Sequence, residues 1–139
     1  MTVREAMAAD VRSVTTDQDV AAAARLMRDG GTGFLPVLEG GAPVGVVTDR
    51  DLVVRVLAEG GDGSTVVGEV MTRDVTTIGP DEDLSAAADA MRAQEVRRLV
   101  VVEGEAVVGV LSHGALVQAT DGEGAGRQAT LGVTEGAQR

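Results

Sequence analysis

The chain has 139 residues, with 22 acidic against 12 basic side chains and a formal net charge of −10, a field that repels a phosphate backbone and argues against extended nucleic-acid binding. It has no cysteine, which excludes disulfides, thiol chemistry and cysteine metal sites, and Phe34 is its one aromatic residue, so the core must come from Val, Leu, Ala, Ile and Met. No apolar run approaches a membrane span, and the N-terminus, MTVREAMAADVRSV, lacks the apolar stretch of a secretion signal, so a cytoplasmic protein is expected.

In chain order, a short leading segment at 3–7 precedes an extended piece near Val14. A helix follows, with Val20, Ala23, Ala24 and Met27 at the i, i+3, i+4, i+7 spacing of one buried face. Asp17 and Asp19 place negative charge at its start, and Gly30 and Gly31 end it. Two apolar strands, 35–38 and 44–47, are joined by the turn EGGAP. A second helix begins at Asp49 and is expected to bury Leu52, Val53, Val56 and Leu57. Residues 61–66 read as a linker.

The pattern then repeats. Residues 3–53 align without a gap on 67–117, and 22 of the 51 pairs are identical. The second copy has its own leading segment at 67–71, an extended piece near Ile78, and a helix entered through Pro80, Asp81 and Asp83 with Leu84, Ala87, Ala88 and Met91 on one face. Strands at 99–102 and 107–111 follow, then a helix from His113 that buries Leu116 and Val117. The expected organisation is a first repeat at 1–60, the linker, a second repeat at 67–120, and a tail at 121–139 with little apolar periodicity, expected to be flexible. Each unit reads β-α-β-β-α, with a leading segment expected to pack on the partner half. A lone half of roughly 60 residues would bury too little surface, so the halves are expected to share a core.

Catalytic constellations are missing: there is no phosphate-binding glycine loop, and one histidine cannot build a metal cluster. His113, at a helix start, is expected to face solvent. No catalytic or metal-ligating residue is assigned, and no enzyme is expected. The best chemical candidate is Thr48-Asp49-Arg50-Asp51, between a strand and a helix, and it has two readings. Thr48 and Asp51 have the spacing of a capping box. The same geometry also offers a helix N-terminus and a hydroxyl to a phosphate, with Asp51 able to accept from two neighbouring sugar hydroxyls. The second copy reads Ser112-His113-Gly114-Ala115, keeping the hydroxyl and losing the carboxylate. Arg97 and Arg98 stand where the first copy has Gly33 and Phe34, and are either solvated or a cationic fork for phosphate.

The repeat, together with GFLPVLEGGAPVGVVTDRDL in copy one and VRRLVVVEGEAVVGVLSHGAL in copy two, resembles a tandem pair of cystathionine-β-synthase (CBS) domains, a Bateman module. The run TDRDLVVRVLAEG is similar to small stand-alone members of that family. The resemblance implies an α/β fold of two β-α-β-β-α units packed through their sheets with pseudo-two-fold symmetry. It further implies a regulatory module without a required cofactor, binding an adenosine-containing ligand (AMP, ADP, ATP or S-adenosylmethionine), forming a homodimer, and signalling through an effector protein. It maps phosphate contact to Thr48, with Arg50 beside it, and ribose to Asp51. The adenine wall maps to Val14, Thr15 and Thr16 with Gly33, Phe34, Leu35 and Pro36, and the opposing cations to Arg97 and Arg98. Ala115, and Val100 in place of the proline at Pro36, put the second site in question. The alternative expectation is a dimeric interaction or stress protein that binds no nucleotide.

Overall fold

The computed structural model describes residues 1–121. Its elements are α1 (Val3–Ala6), β1 (Val14–Thr15), α2 (Val20–Gly30), β2 (Phe34–Glu39), β3 (Ala42–Thr48) and α3 (Asp49–Asp51), the last continuing into a π-helical stretch, Leu52–Leu57. After these come α4 (Val67–Val70), β4 (Thr77–Ile78), α5 (Leu84–Gln94), β5 (Arg98–Glu103), β6 (Ala106–Ser112) and α6 (His113–Asp121). The tail expected at 121–139 lies, beyond Asp121, outside the described residues.

The sequence explains where the long helices start and stop. Asp19 accepts from the Ala22 amide (2.9 Å) and Asp83 from the Ser85 amide (3.0 Å), so each helix begins on a carboxylate that satisfies an orphan donor. The other two acids do different work: Asp17 accepts from the Thr15 hydroxyl (2.5 Å), and Asp81 lies 3.4 Å from Arg4. Gly31, with φ of 64°, closes α2 in the left-handed conformation, and Glu95, with φ of 55°, closes α5 in the same way.

The described residues form two three-stranded sheets, ordered β1-β2-β3 and β4-β5-β6. In each, the short first strand runs parallel to the second, and the second pairs antiparallel with the third. Phe34 stands opposite Thr48 and Arg98 opposite Ser112, and both hairpins carry an irregularity at the same place, Val37/Leu38 and Val101/Val102.

Two compact units emerge, and they do not follow the repeat boundaries. One is Val11–Val75; the other joins Met1–Asp10 to the described residues from Thr76 to Asp121. Each repeat thus gives its leading segment to the unit that holds the other repeat's sheet, as the sequence led us to expect. Backbone bonds show the exchange: Val3 N to Glu82 O and Ala8 N to Val110 O (2.8 and 2.9 Å) in one unit correspond to Val67 N to Gln18 O and Thr72 N to Val46 O (both 2.8 Å) in the other.

The expectation of a shared core is corrected in number alone: there are two clusters, and each draws on both repeats. Apart from Val100, the buried hydrophobic residues fall in these two clusters, each within one unit: Val14, Val20, Ala23, Met27, Leu35, Val37, Val47 and Val56 are joined by Val67, Val70 and Met71. In the other unit Val3 joins Leu84, Ala87, Met91, Leu99, Val101, Leu111 and Leu116. The exchanged segments supply the surface that a repeat lacks by itself, so each unit closes its own core.

The second helix is corrected too. Val56 is buried and Leu52 packs against the core, but Val53 and Leu57 are 55% and 65% exposed, and Val54 is exposed beside them. The Ala58 amide bonds to the Val53 carbonyl five residues back (2.9 Å). That wider winding takes the chain out of the 3.6-residue phase on which the expectation rested.

Candidate functional site

Strand β3 ends at Thr48, and the helix that follows is started by a reciprocal pair. The Thr48 hydroxyl accepts from the Asp51 amide (3.2 Å), and the Asp51 carboxylate accepts through Oδ2 from the Thr48 amide (2.9 Å). The capping reading of these residues is therefore realised. It does not use up Asp51. The residue is only 9% exposed, a costly place for a carboxylate, and Oδ1 has the Arg55 Nε at 3.8 Å, beyond hydrogen-bond length. A second donor could approach that oxygen.

Gly33 and Phe34 come to the same end of the sheet. The Gly33 carbonyl accepts from the Asp49 amide (3.0 Å), and Phe34 is the cross-strand partner of Thr48. Arg50 is exposed, its amide donating to Asp49 Oδ1 (2.8 Å). Pro36, opposite Val46, is fully buried. Gly33, Phe34, Thr48 and Asp51 are thus gathered together.

The 14–16 segment is not part of that group. Val14 pairs with Val37, three residues along β2 from Phe34, which at strand rise is about 10 Å. Val14 is 1% exposed and belongs to the core, while Thr15 donates from its amide to Gln18 Oε1 (2.9 Å) in the turn before α2. The Thr16 carbonyl accepts from the Gly68 amide (2.9 Å).

Arg97 and Arg98 lie in the other unit. There the Ser112 hydroxyl accepts from the Ala115 amide (3.0 Å), so the cap survives without a carboxylate. The Arg97 carbonyl accepts from the His113 amide (2.7 Å), repeating the Gly33–Asp49 bond. Arg97 borders a half-open cleft of about 420 Å³ between α5 and α6, floored by Met91 and Leu116 and shared with His113. His113 is half-buried, with Nδ1 buried and without a hydrogen-bond partner among the described residues, so the expectation of a solvent-facing side chain is corrected. His113 shares that cleft with Ala88, Met91 and Val96, which the sequence pattern, showing only a helix start, did not reveal.

Sequence reasoning missed Arg55. It lies four residues after Asp51, the separation at which helical side chains meet, and its Nη1 donates to the carbonyls of Val70 and Met71 (3.1 and 3.2 Å). The signal was present in the repeat: Asp51 and Arg55 align with Ala115 and Ala119.

Comparison with known proteins gives this geometry a family. The CBS domain matches twice, at residues 3–58 and 67–122. The chain belongs to the CBS-domain family. The CBS domain-containing protein YhcV of Bacillus subtilis is 36% identical over 129 residues, 92% of each chain. Hypoxic response protein 1 of Mycobacterium tuberculosis is 30% identical over 114 residues, covering 81% of this chain and 80% of the relative. A solved CBS-domain protein from Burkholderia ambifaria superposes with a TM-score of 0.78 at 27% identity, over 89% of this chain and 96% of that one. The CBS pair of protein MJ0100, solved in complex with 5′-methylthioadenosine and S-adenosylmethionine, shares the fold at a TM-score of 0.76 and 22% identity, over 88% and 98% of the two chains. Among the described residues, no three or more His, Cys, Asp or Glu side chains group to hold a metal ion, and no helix is long and apolar enough to cross a membrane.

Proposed function

We propose that this CBS pair is a cytoplasmic, non-catalytic regulatory module that binds an adenosine-containing ligand, with Thr48, Asp51, Gly33 and Phe34 at the centre of the site, and that acts through an effector protein. The observation that carries this reading is the Asp51 carboxylate: buried, with one oxygen engaged in the cap and the other held only at 3.8 Å, and absent from the second repeat. Such an oxygen suits a pair of ribose hydroxyls, and the Thr48 hydroxyl beside a helix start suits a phosphate. MJ0100, a protein of the same fold solved with two adenosine compounds, supports the ligand class. Val14, Thr15, Thr16, Pro36, Arg50, Arg97 and Arg98 are assigned to the ligand by family resemblance.

Calorimetric titration with AMP, ADP, ATP and S-adenosylmethionine tests the reading. One of them binds, and Asp51→Ala weakens it by about 1–3 kcal/mol, since buried hydroxyls lose their acceptor. No heat from any of the four at millimolar concentration sinks the proposal for these ligands. Arg98→Ala should act more on phosphorylated ligands than on adenosine; equal effects remove it from the phosphate site.

A second reading, a homodimeric interaction protein without a nucleotide, is favoured by the exposed Val53, Val54 and Leu57 on one helix. Light scattering during chromatography reads the oligomeric state, and the titration separates the two readings.

A further inference from the structure

The Asp51 carboxylate is one end of a short polar chain. Its Oδ1 faces the Arg55 Nε at 3.8 Å, and the same guanidinium donates through Nη1 to the carbonyls of Val70 and Met71, the last residue of α4 and its cap. Those carbonyls stand at a helix end, where no intrahelical partner is available to them. One residue further on, Thr72 exchanges two backbone hydrogen bonds with Val46 of β3 (2.8 Å each), and the chain leaves this unit at Val75.

The second repeat is an internal control for what Arg55 is needed for. There Ala115 and Ala119 replace both members of the pair, and the helix carrying them, α6, has no π-helical stretch among its described residues. Yet the leading segment still docks: Ala8 and Val110 exchange their two bonds at 2.9 and 3.0 Å, with Ala119 at the position of Arg55. Closing a unit therefore does not require Arg55. The carboxylate, the arginine and the π winding occur together in one repeat and are absent together from the other. π turns of this kind concentrate at functional sites.

We propose that Arg55 is a positioning residue that couples Asp51 to the end of α4, so that what binds at Asp51 is transmitted to the segment through which the chain leaves the unit. The proposal rests on Asp51 being the ligand carboxylate and deepens that reading. A ligand hydroxyl arriving at Oδ1 shares that oxygen with the Arg55 guanidinium, and any shift of the guanidinium changes its hold on the two carbonyls. Arginine suits this task because its planar fork can bond in two directions at once, which an ammonium cannot do with the same geometry.

Hydrogen exchange read by mass spectrometry on the full chain, without ligand, tests the link directly. Asp51→Asn leaves the Arg55 donors in place but removes the charge that orients them. Exchange across 70–73 should rise about threefold to tenfold in Asp51→Asn and by a similar factor in Arg55→Gln, with Arg55→Lys restoring it only in part. If Arg55→Gln loosens 70–73 while Asp51→Asn leaves it unchanged, the arginine is merely a cap for α4 and the coupling is overturned. AMP, ATP and S-adenosylmethionine are then added to the wild type and to Arg55→Gln. The ligand that binds should alter exchange at 70–73 in the wild type, and in Arg55→Gln should bind about threefold to tenfold more weakly and leave that segment unaltered. Equal affinity and an equal response at 70–73 in both proteins would overturn the proposal. If none of the three binds the wild type, the ligand reading fails for them, while the ligand-free exchange still decides the coupling.

Discussion

Gly45 lies so close to Thr72 that a Cβ on the glycine would sit 2.5 Å from the Thr72 carbonyl oxygen. That is backbone against backbone, at the place where the leading segment of the second repeat crosses β3. The same crossing recurs at Gly109, where a Cβ would meet the Met7 sulfur at 2.5 Å and the Ala8 carbonyl oxygen at 2.9 Å. A pair of glycines at matching positions in the two repeats is thereby explained by one close approach in each unit.

Gly45→Ala should therefore destabilise the protein by about 1–3 kcal/mol, the usual cost of overpacking a site that cannot relax. Gly109→Ala should cost less, because the nearest atom there is the end of a flexible methionine side chain. Urea unfolding of the two variants checks both statements. A Gly45→Ala midpoint equal to wild type would mean that the crossing is looser than its geometry.

At the end of α5, Glu95 holds φ of 55°, where the first repeat has Gly31 at 64°. A residue with a side chain is strained in that conformation, and Gly31 has no atom within 4 Å of where a Cβ would lie, so only the backbone angle is at issue. Glu95→Gly should stabilise by about 0.5–1 kcal/mol, and Gly31→Ala should destabilise by about as much. Thermal unfolding of both gives the signs. A destabilised Glu95→Gly would count against the strain argument.

Much of this fold was legible because its signals are local. Val20, Ala23 and Met27 mark a buried face by spacing, and the hairpins announce themselves by turn residues between apolar runs. The exchange of leading segments was legible for a different reason: a self-match that begins at Val3, before the first strand, leaves a piece with no partner inside its own repeat. What stayed hidden depends on winding and on side-chain reach. Val53 and Leu57 satisfy the helical spacing, yet a π turn, which no residue pattern specifies, takes them off the buried face. Arg55 reaches two carbonyls fifteen and sixteen residues later in the chain, and only the fold brings those within range. Thr48 and Asp51 were visible as a motif, while the freedom of one Asp51 oxygen was not.

Acid should unfold the protein partly through Asp83. Hydrogen bonds from the Ser85 hydroxyl (2.6 Å) and amide (3.0 Å) hold its carboxyl below the ordinary aspartate value, helped by the N-terminal ammonium 3.7 Å away. A lowered carboxyl favours the folded state above its unfolded pKa, and that contribution is lost as pH falls through the folded pKa, hence below about pH 4. Asp83→Asn should flatten the fall in stability across that window. Parallel acid titrations of the two proteins, followed by circular dichroism, would reject the idea if their slopes matched.

The start of α6 offers a test of the cap by construction rather than removal. Ser112 already accepts from the Ala115 amide (3.0 Å), as Thr48 accepts from Asp51, but the return bond is missing because Ala115 has no acceptor. Ala115→Asp supplies one, and the reciprocal bond from the Ser112 amide should form as it does at Thr48, where the distance is 2.9 Å. Ala115 is half-buried, so the new carboxylate is desolvated; the amide it captures and the positive end of the helix offset that cost. The net gain should be about 0.5–1 kcal/mol in urea unfolding at neutral pH, within the range of a single cap. It should disappear once the pH falls below the aspartate's pKa, because a protonated carboxyl is a poorer acceptor. A variant less stable than wild type at neutral pH would show that burial outweighs the cap, and that Asp51 is tolerated in its own unit only because Arg55 stands beside it.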